Sequence, residues 1–250
     1  MDQTLIEWTD ATLNTAWGCT KVSEGCKNCY MYRLSRPFGR DPDVPTELNF
    51  ENTKKRLAKT VKNGAKVIFV NSMTDTFHKD YSYDTIKTWI DLFAEYKDIQ
   101  FQVLTKRIER ALEYSEKYGI PDNVWIGTSI ENNRQLHRLS TLKSIKAKIR
   151  FISFEPLLES IPNADLSEIQ WVIVGGESDF KNPRPFLEDW AREIRDQCGK
   201  YKVPFFFKQM GGTKKITHAD GVKTWGGNTI DGKKYQQMPV LLGLKESTIL

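Results

Sequence analysis

No apolar run in this 250-residue chain approaches the roughly 20 residues needed to cross a bilayer. The first residues, MDQT, carry no basic segment followed by an apolar stretch. No signal peptide is therefore expected, and a cytoplasmic protein without membrane partners is. Cysteine is scarce, at four residues. Three of them crowd into one short segment, which argues against a secreted disulfide framework and for a metal site in a reducing cytosol. Internal repeats and low-complexity tracts are absent. So is a basic stripe with interleaved aromatics, the footprint of a plain nucleic-acid-binding module. Charge is only mildly one-sided: 37 Lys and Arg against 32 Asp and Glu give a net +5. That balance is compatible with a nucleic-acid or phosphorylated substrate and does not demand one.

What is present is a globular composition, with 12% aromatic and 28% charged residues. Short apolar runs recur: KVIFV (66–70), IQFQVL (99–104), VWIG (124–127), IRFISF (149–154), WVIV (171–174) and PFFF (204–207), with a weaker candidate at 14–17. Runs this continuous suit strands buried on both faces of a parallel sheet. Between them lie helical stripes. Ile86, Trp89, Ile90 and Phe93 recur at i, i+3, i+4, i+7, as do Leu187, Trp190, Ala191 and Ile194. Ile108 and Leu112, then Leu136, Leu139 and Leu142, form shorter ones. No glycine-rich dinucleotide fingerprint follows the first strand. The expected fold is therefore α/β: a partial or complete (β/α) barrel of about six to seven parallel strands over residues 1–210. Residues 211–250 read as a small irregular C-terminal appendage or tail, with an Asp231-Gly232 turn signal able to close a hairpin.

Polar residues follow each strand. In a barrel these ends converge on the face that carries chemistry. Asp75, His78, Glu155, Glu177 and Lys208 are the candidate catalytic groups there. Helix capping accounts for some strand-end residues, such as Ser72, Thr74, Asp75, Ser129 and Asn132. It does not account for Lys106 or Lys208, since a cation at a helix N-terminus opposes the dipole; Glu155 and Glu177 are set beside them as functional candidates.

The cysteines read Cys19-x6-Cys26-x2-Cys29, with Gly18 and Gly25 letting the backbone turn tightly around a common centre. Zinc is one reading, but a closed structural site needs a fourth ligand. Cys198 lies on the apolar stripe of its helix, and His78, His137 and His218 are isolated. A disulfide with a spare thiol is a second reading. A [4Fe–4S] cluster on three cysteines, with one iron left open, is a third. The loop follows the first barrel strand and so lies on the chemical face, which favours the cluster over zinc.

These features together carry a resemblance. Trp17-Gly18-Cys19-Thr20-Lys21-Val22-Ser23, Gly25-Cys26, Asn28-Cys29-Tyr30, Ser72-Met73-Thr74-Asp75, Leu104-Thr105-Lys106-Arg107, Gly127-Thr128-Ser129, Phe154-Glu155-Pro156-Leu157 and Gly175-Gly176-Glu177-Ser178 resemble the phage-associated three-Cys-motif family. That family is largely of unknown function and is placed near spore photoproduct lyase in the radical S-adenosylmethionine superfamily. The commonest superfamily spacing is C-x3-C-x2-C with an aromatic before the last cysteine. Here the first gap is six, and Asn28 holds that place with Tyr30 after it.

The resemblance implies a cluster on Cys19, Cys26 and Cys29 that binds and reductively cleaves S-adenosylmethionine, giving a radical that abstracts a substrate hydrogen. It implies cofactor contacts from Tyr30, Ser72, Thr74, Lys106, Ser129 and Glu131, with Lys106 facing the methionine carboxylate. Glu131, Glu155 and Glu177 are further candidates for ribose or substrate. An electron donor such as flavodoxin or ferredoxin is the implied partner. A nucleic-acid base or nucleoside is the expected substrate. A zinc-stabilised nucleic-acid-binding module, and an enzyme transferring an aminocarboxypropyl group from S-adenosylmethionine, are the competing readings.

Overall fold

The structure is a computed structural model that describes residues 4, 6–35, 39, 41–178, 181–218, 221 and 223–239. From the N-terminus come β1 (Ala11–Leu13), β2 (Ala16–Trp17), α1 (Tyr30–Ser35), β3 (Thr46–Glu47), α2 (Phe50–Lys62), β4 (Val67–Val70) and α3 (Tyr83–Ala94). Next are β5 (Gln100–Thr105), α4 (Ile108–Tyr118), β6 (Val124–Ser129), α5 (His137–Ser144), β7 (Arg150–Phe154), β8 (Trp171–Gly175), α6 (Glu188–Tyr201) and β9 (Phe205–Gln209). Two hairpins follow: β10 (Lys215–Thr217) with β11 (Lys223–Trp225), and β12 (Thr229–Ile230) with β13 (Lys233–Lys234).

Seven strands make one parallel sheet in the order β1-β4-β5-β6-β7-β8-β9. Sequence order and spatial order coincide, as in a (β/α) barrel, but β1 and β9 do not pair, so the barrel is partial. The β7–β8 crossover has no helix. Its buried Leu157, Ile161, Ala164, Leu166 and Ile169 do that work instead. Among the described residues no helix is long and apolar enough to cross a membrane.

Alternation along each strand divides the apolar residues between two cores. Ile68, Val70, Phe101, Val103, Val124, Ile126, Ile152, Phe154, Val172, Val174, Phe205 and Phe207 face the helices. Phe69, Trp125, Phe151, Trp171, Ile173 and Phe206 face inward and, with Trp8, plug the half-barrel. Trp171 is the hub. Its ring meets Trp8, Trp125 and Phe206 edge-on at 6.0, 6.1 and 6.2 Å. Each such ring removes roughly 150–250 Å² from water. Gly127 sits directly opposite Phe151 in register. A Cβ at Gly127 would overlap the Phe151 ring, so the missing side chain is what lets that ring lie across the strand.

The first sheet strand differs from the expected 14–17. Residues 11–13 pair with β4, while Ala16 and Trp17 pair antiparallel with β3. Asn14 interrupts the run because its side-chain oxygen accepts the Met73 N–H at 3.0 Å. The Asp231-Gly232 turn forms as expected, with both residues at positive φ (52° and 72°) joining β12 to β13. Residues 235–237 then run antiparallel beside β9, through Phe207 N–H to Tyr235 O (2.7 Å) and Gln237 N–H to Phe205 O (3.1 Å).

Replacing Gly127 by Val should therefore cost about 1–3 kcal/mol through overpacking. Urea unfolding would show a lower midpoint at unchanged slope. An unmoved midpoint would mean that Phe151 swings aside freely.

Candidate metal-cluster and cofactor site

The C-terminal strand ends open into a cavity of about 620 Å³. Cys19, Cys26 and Cys29 line it from the segment between β2 and α1. Ser72, Thr74 and Asp75 come from the loop after β4, and Lys106 and Arg107 from the end of β5. Ser129, Glu155 and Lys208 come from β6, the end of β7 and β9. Trp8, Phe69 and Leu104, part of the interior plug, reach the same cavity. All three thiols are free. Among the described residues no three His, Cys, Asp or Glu side chains are gathered into a ready-made metal-binding group.

The cysteine loop is pinned at its start. Gly18 has φ +87°, and a Cβ there would strike the Val44 carbonyl. Its N–H donates to Met73 O (3.1 Å), and its carbonyl accepts the Thr74 hydroxyl (2.5 Å). Tyr30 lines the cavity while its hydroxyl donates to Ser72 O at 2.6 Å. Arg107 then grips the Cys19 end. One terminal nitrogen donates to Cys19 Sγ (3.6 Å) and Asp75 Oδ2 (3.2 Å). The other donates to the carbonyl (2.9 Å) and hydroxyl (3.0 Å) of Thr20. Asp75 also accepts the Thr105 hydroxyl (2.7 Å) and the Lys106 N–H (3.1 Å). His78, fully buried, contacts Thr20 Oγ1 at 2.8 Å. Burial, and then Arg107, hold its pKa below the usual imidazole value.

A second set of buried charges braces the Cys26 end. Glu131 is completely buried and accepts the Ser23 hydroxyl (2.6 Å). It also pairs with Arg138 (3.1 Å) and Lys106 (3.7 Å). Gly25 is needed here for close approach and not for turning: a Cβ would occupy the space of the Glu131 carboxylate. Glu177 pairs with Arg184 and accepts Asn28 Nδ2 at 2.8 Å. Arg184 in turn donates to Glu24 O at 2.7 Å. Burial pushes the Glu177 carboxyl up, but the Arg184 hydrogen bonds outweigh it and leave the pKa below the ordinary value. So Glu131, Glu177 and His78 sit behind the loop, whereas Asp75, Glu155 and Lys208 line the cavity. Glu155 holds Lys208 at 2.9 Å and accepts the Ser153 hydroxyl at 3.0 Å.

Burial, and then the Asp75 charge, push the Cys19 thiol up to about 11, against the pull of Arg107. Burial also raises Cys29. Buried thiols that must ionise to bind call for a strongly cationic centre to offset the cost. Cys19, Cys26 and Cys29 are all half-buried and line one cavity, and among the described residues no fourth cysteine lines it. Three thiols without a fourth suit a cluster that leaves one iron open, whereas a closed zinc site needs four ligands. Cys198 is 1% exposed in the helix-side core, where burial pushes its thiol to about 12. Arg107, Arg138 and Arg184 were not among the residues expected from sequence. Arg107 carried a usable signal, since it stands at the N-terminus of α4, where a cation is electrostatically out of place. The other two become visible only once the fold brings them to Glu131 and Glu177.

Glu131→Ala should cost about 3–5 kcal/mol, because it leaves the Arg138 charge buried without its partner. Urea denaturation would read that loss directly, and a change below 1 kcal/mol would remove Glu131 as the brace.

No curated protein matches the chain. Among solved structures it is similar to a cysteine-to-serine variant of spore photoproduct lyase. That match has 13% sequence identity and a TM-score of 0.50, and covers 86% of this chain and 67% of that one. A second variant of the lyase, with bound AdoMet and dinucleoside spore photoproduct, matches at 13% identity and a TM-score of 0.48 over the same shares. At 13% identity the first of these likenesses is one of fold alone. In sequence the match is to a family described only as proteins of unknown function, across residues 3–239. The chain therefore belongs to the DUF5131 family.

Proposed function

We propose that this protein holds a [4Fe–4S] cluster on Cys19, Cys26 and Cys29 and uses it for radical chemistry on a nucleic-acid base or nucleoside. The supporting observation is that three free thiols line one cavity together with cationic and hydroxyl groups from the strand ends. When bound, a cluster with an open iron supplies the coordination site and electron for reductive cleavage of S-adenosylmethionine.

The chain's own groups have distinct parts in this reading. Lys106, 22% exposed and only loosely balanced by Glu131, offers its ammonium to the cofactor carboxylate. Ser129 and Ser72 offer hydroxyls, and Tyr30 offers a ring beside the thiols. Thr74 lines the cavity with its hydroxyl already committed to the Gly18 carbonyl. The aromatic plug beneath excludes water, which protects a reactive intermediate from quenching. The Glu155–Lys208 pair gives a polar contact for the substrate. Trp225, with Lys215 5.3 Å over its ring, lines the same cavity. A ring and a cation together suit a base and its phosphate. An external one-electron donor of the flavodoxin or ferredoxin kind, in a reducing cytosol, completes the system.

Anaerobic reconstitution tests the reading. The expected product is brown protein with iron and sulfide in equal amounts, which forms 5′-deoxyadenosine once reductant and S-adenosylmethionine are added. Methylthioadenosine in its place would point to aminocarboxypropyl transfer. Colourless protein with stoichiometric zinc would overturn the cluster. Lys106→Ala should weaken S-adenosylmethionine binding about 10–100-fold, the worth of a charge-assisted hydrogen bond, without changing iron content. Equilibrium dialysis with labelled cofactor measures this, and unchanged affinity would remove Lys106 from the site.

A further inference from the structure

Of the three cysteines, Cys19 receives a hydrogen bond from a charged side chain. Arg107 makes that bond with its geometry fully determined. Its two terminal nitrogens reach four acceptors: Cys19 Sγ, Asp75 Oδ2, Thr20 O and Thr20 Oγ1. The side chain is 10% exposed, and its partner Asp75 is 8% exposed. Thr20 is fixed from behind by His78. Such a fork has no freedom to turn away from the sulfur, and little water reaches it to screen the charge. The neighbouring Lys106 faces Glu131. Arg107 takes no part in the cofactor contacts proposed for Lys106, Ser129, Ser72 and Tyr30.

We infer that Arg107 is a positioning residue that sets the reduction potential of the cluster through the Cys19 thiolate, and that Asp75 limits the size of its effect. The inference rests on the cluster reading above. One-electron reduction adds negative charge to a ligand set that is already anionic and partly buried. A cation hydrogen-bonded to one sulfur stabilises the reduced state more than the oxidised one and raises the potential. Asp75, at 3.2 Å from the same nitrogen, works in the opposite sense. The couple passes one electron from an added chemical reductant to the cluster, with no bond made or broken in the protein. If the fork only fastened the loop, the potential would be insensitive to its charge as long as the loop stayed folded.

The test is potentiometric titration of the reconstituted protein, followed by electron paramagnetic resonance, without S-adenosylmethionine. Arg107→Gln removes the cation. It should lower the reduced-to-oxidised ratio at a fixed potential about tenfold, equivalent to about 59 mV for a one-electron couple. Asp75→Asn removes the opposing charge and should move the ratio the other way. Arg107→Lys should restore part of the wild-type value. Iron and sulfide content is measured on every sample. If Arg107→Gln does not retain its cluster, Asp75→Asn carries the test alone. Unchanged potentials in cluster-loaded variants, or shifts of the same sign in both, overturn the inference and leave the cluster reading intact. Wild-type protein that takes up no iron and sulfide overturns the cluster reading itself.

Discussion

An open half-barrel has an inner face with no opposing strands to cover it, and the rest of this structure follows from how that face is filled. Its lower part is filled with rings. Trp8, Trp125, Phe151, Trp171 and Phe206 interlock around one hub, and Gly127 removes its own side chain to admit one of them. The upper part is left to serines, lysines and carboxylates at the strand ends. The boundary between the two levels fixes the depth of the cavity and makes its base dry. One polar side chain does lie at the level of the rings, where an unpaired hydrogen-bonding atom is costly: Gln102, in register with Phe69 and Trp125, is fully buried and donates from Nε2 to Trp8 O at 3.2 Å.

The cysteine loop has little secondary structure of its own and depends on borrowed rigidity. Three buried or half-buried carboxylates supply it: Asp75 through Arg107, Glu131 through Arg138 and Ser23, and Glu177 through Arg184 and Asn28. Each carboxylate comes from a different strand end, so the loop is tied to the sheet at three separated points. Charged braces of this kind are poor sources of net stability but strict about geometry. That suits a loop whose three sulfurs must meet a common partner.

Much of the sheet is legible in the sequence because its strands are buried on both faces. Continuous runs such as WVIV and VWIG leave no other reading. β1 is not legible, since three residues are too few for a pattern and Trp17 nearby advertises a strand that pairs elsewhere. In α2 the stripe is thin: Thr53 takes a place where an apolar residue would have signalled a helix. At the site, residue type was legible and direction was not. Glu131 and Glu155 both follow strands and look equivalent in sequence. One faces back toward Arg138 and the other into the cavity, a difference set by packing with Gly25 and Gly175.

The interior joins residues that are very far apart along the chain. Trp8 stands in the same cluster as Met238, Trp171 donates its indole N–H to Gln237 O at 2.8 Å, and Gln236 reaches Glu7 at 3.3 Å. The strands can pair one after another as the chain grows, since each meets its immediate predecessor. The plug cannot be sealed in that way. Its closure needs residues from both ends of the described chain, so it is a long-range step, and contacts between distant residues are slow to form. Pairing the strands and sealing the interior are thus separate requirements of this fold: the first is met between neighbours, the second only across nearly the whole described chain.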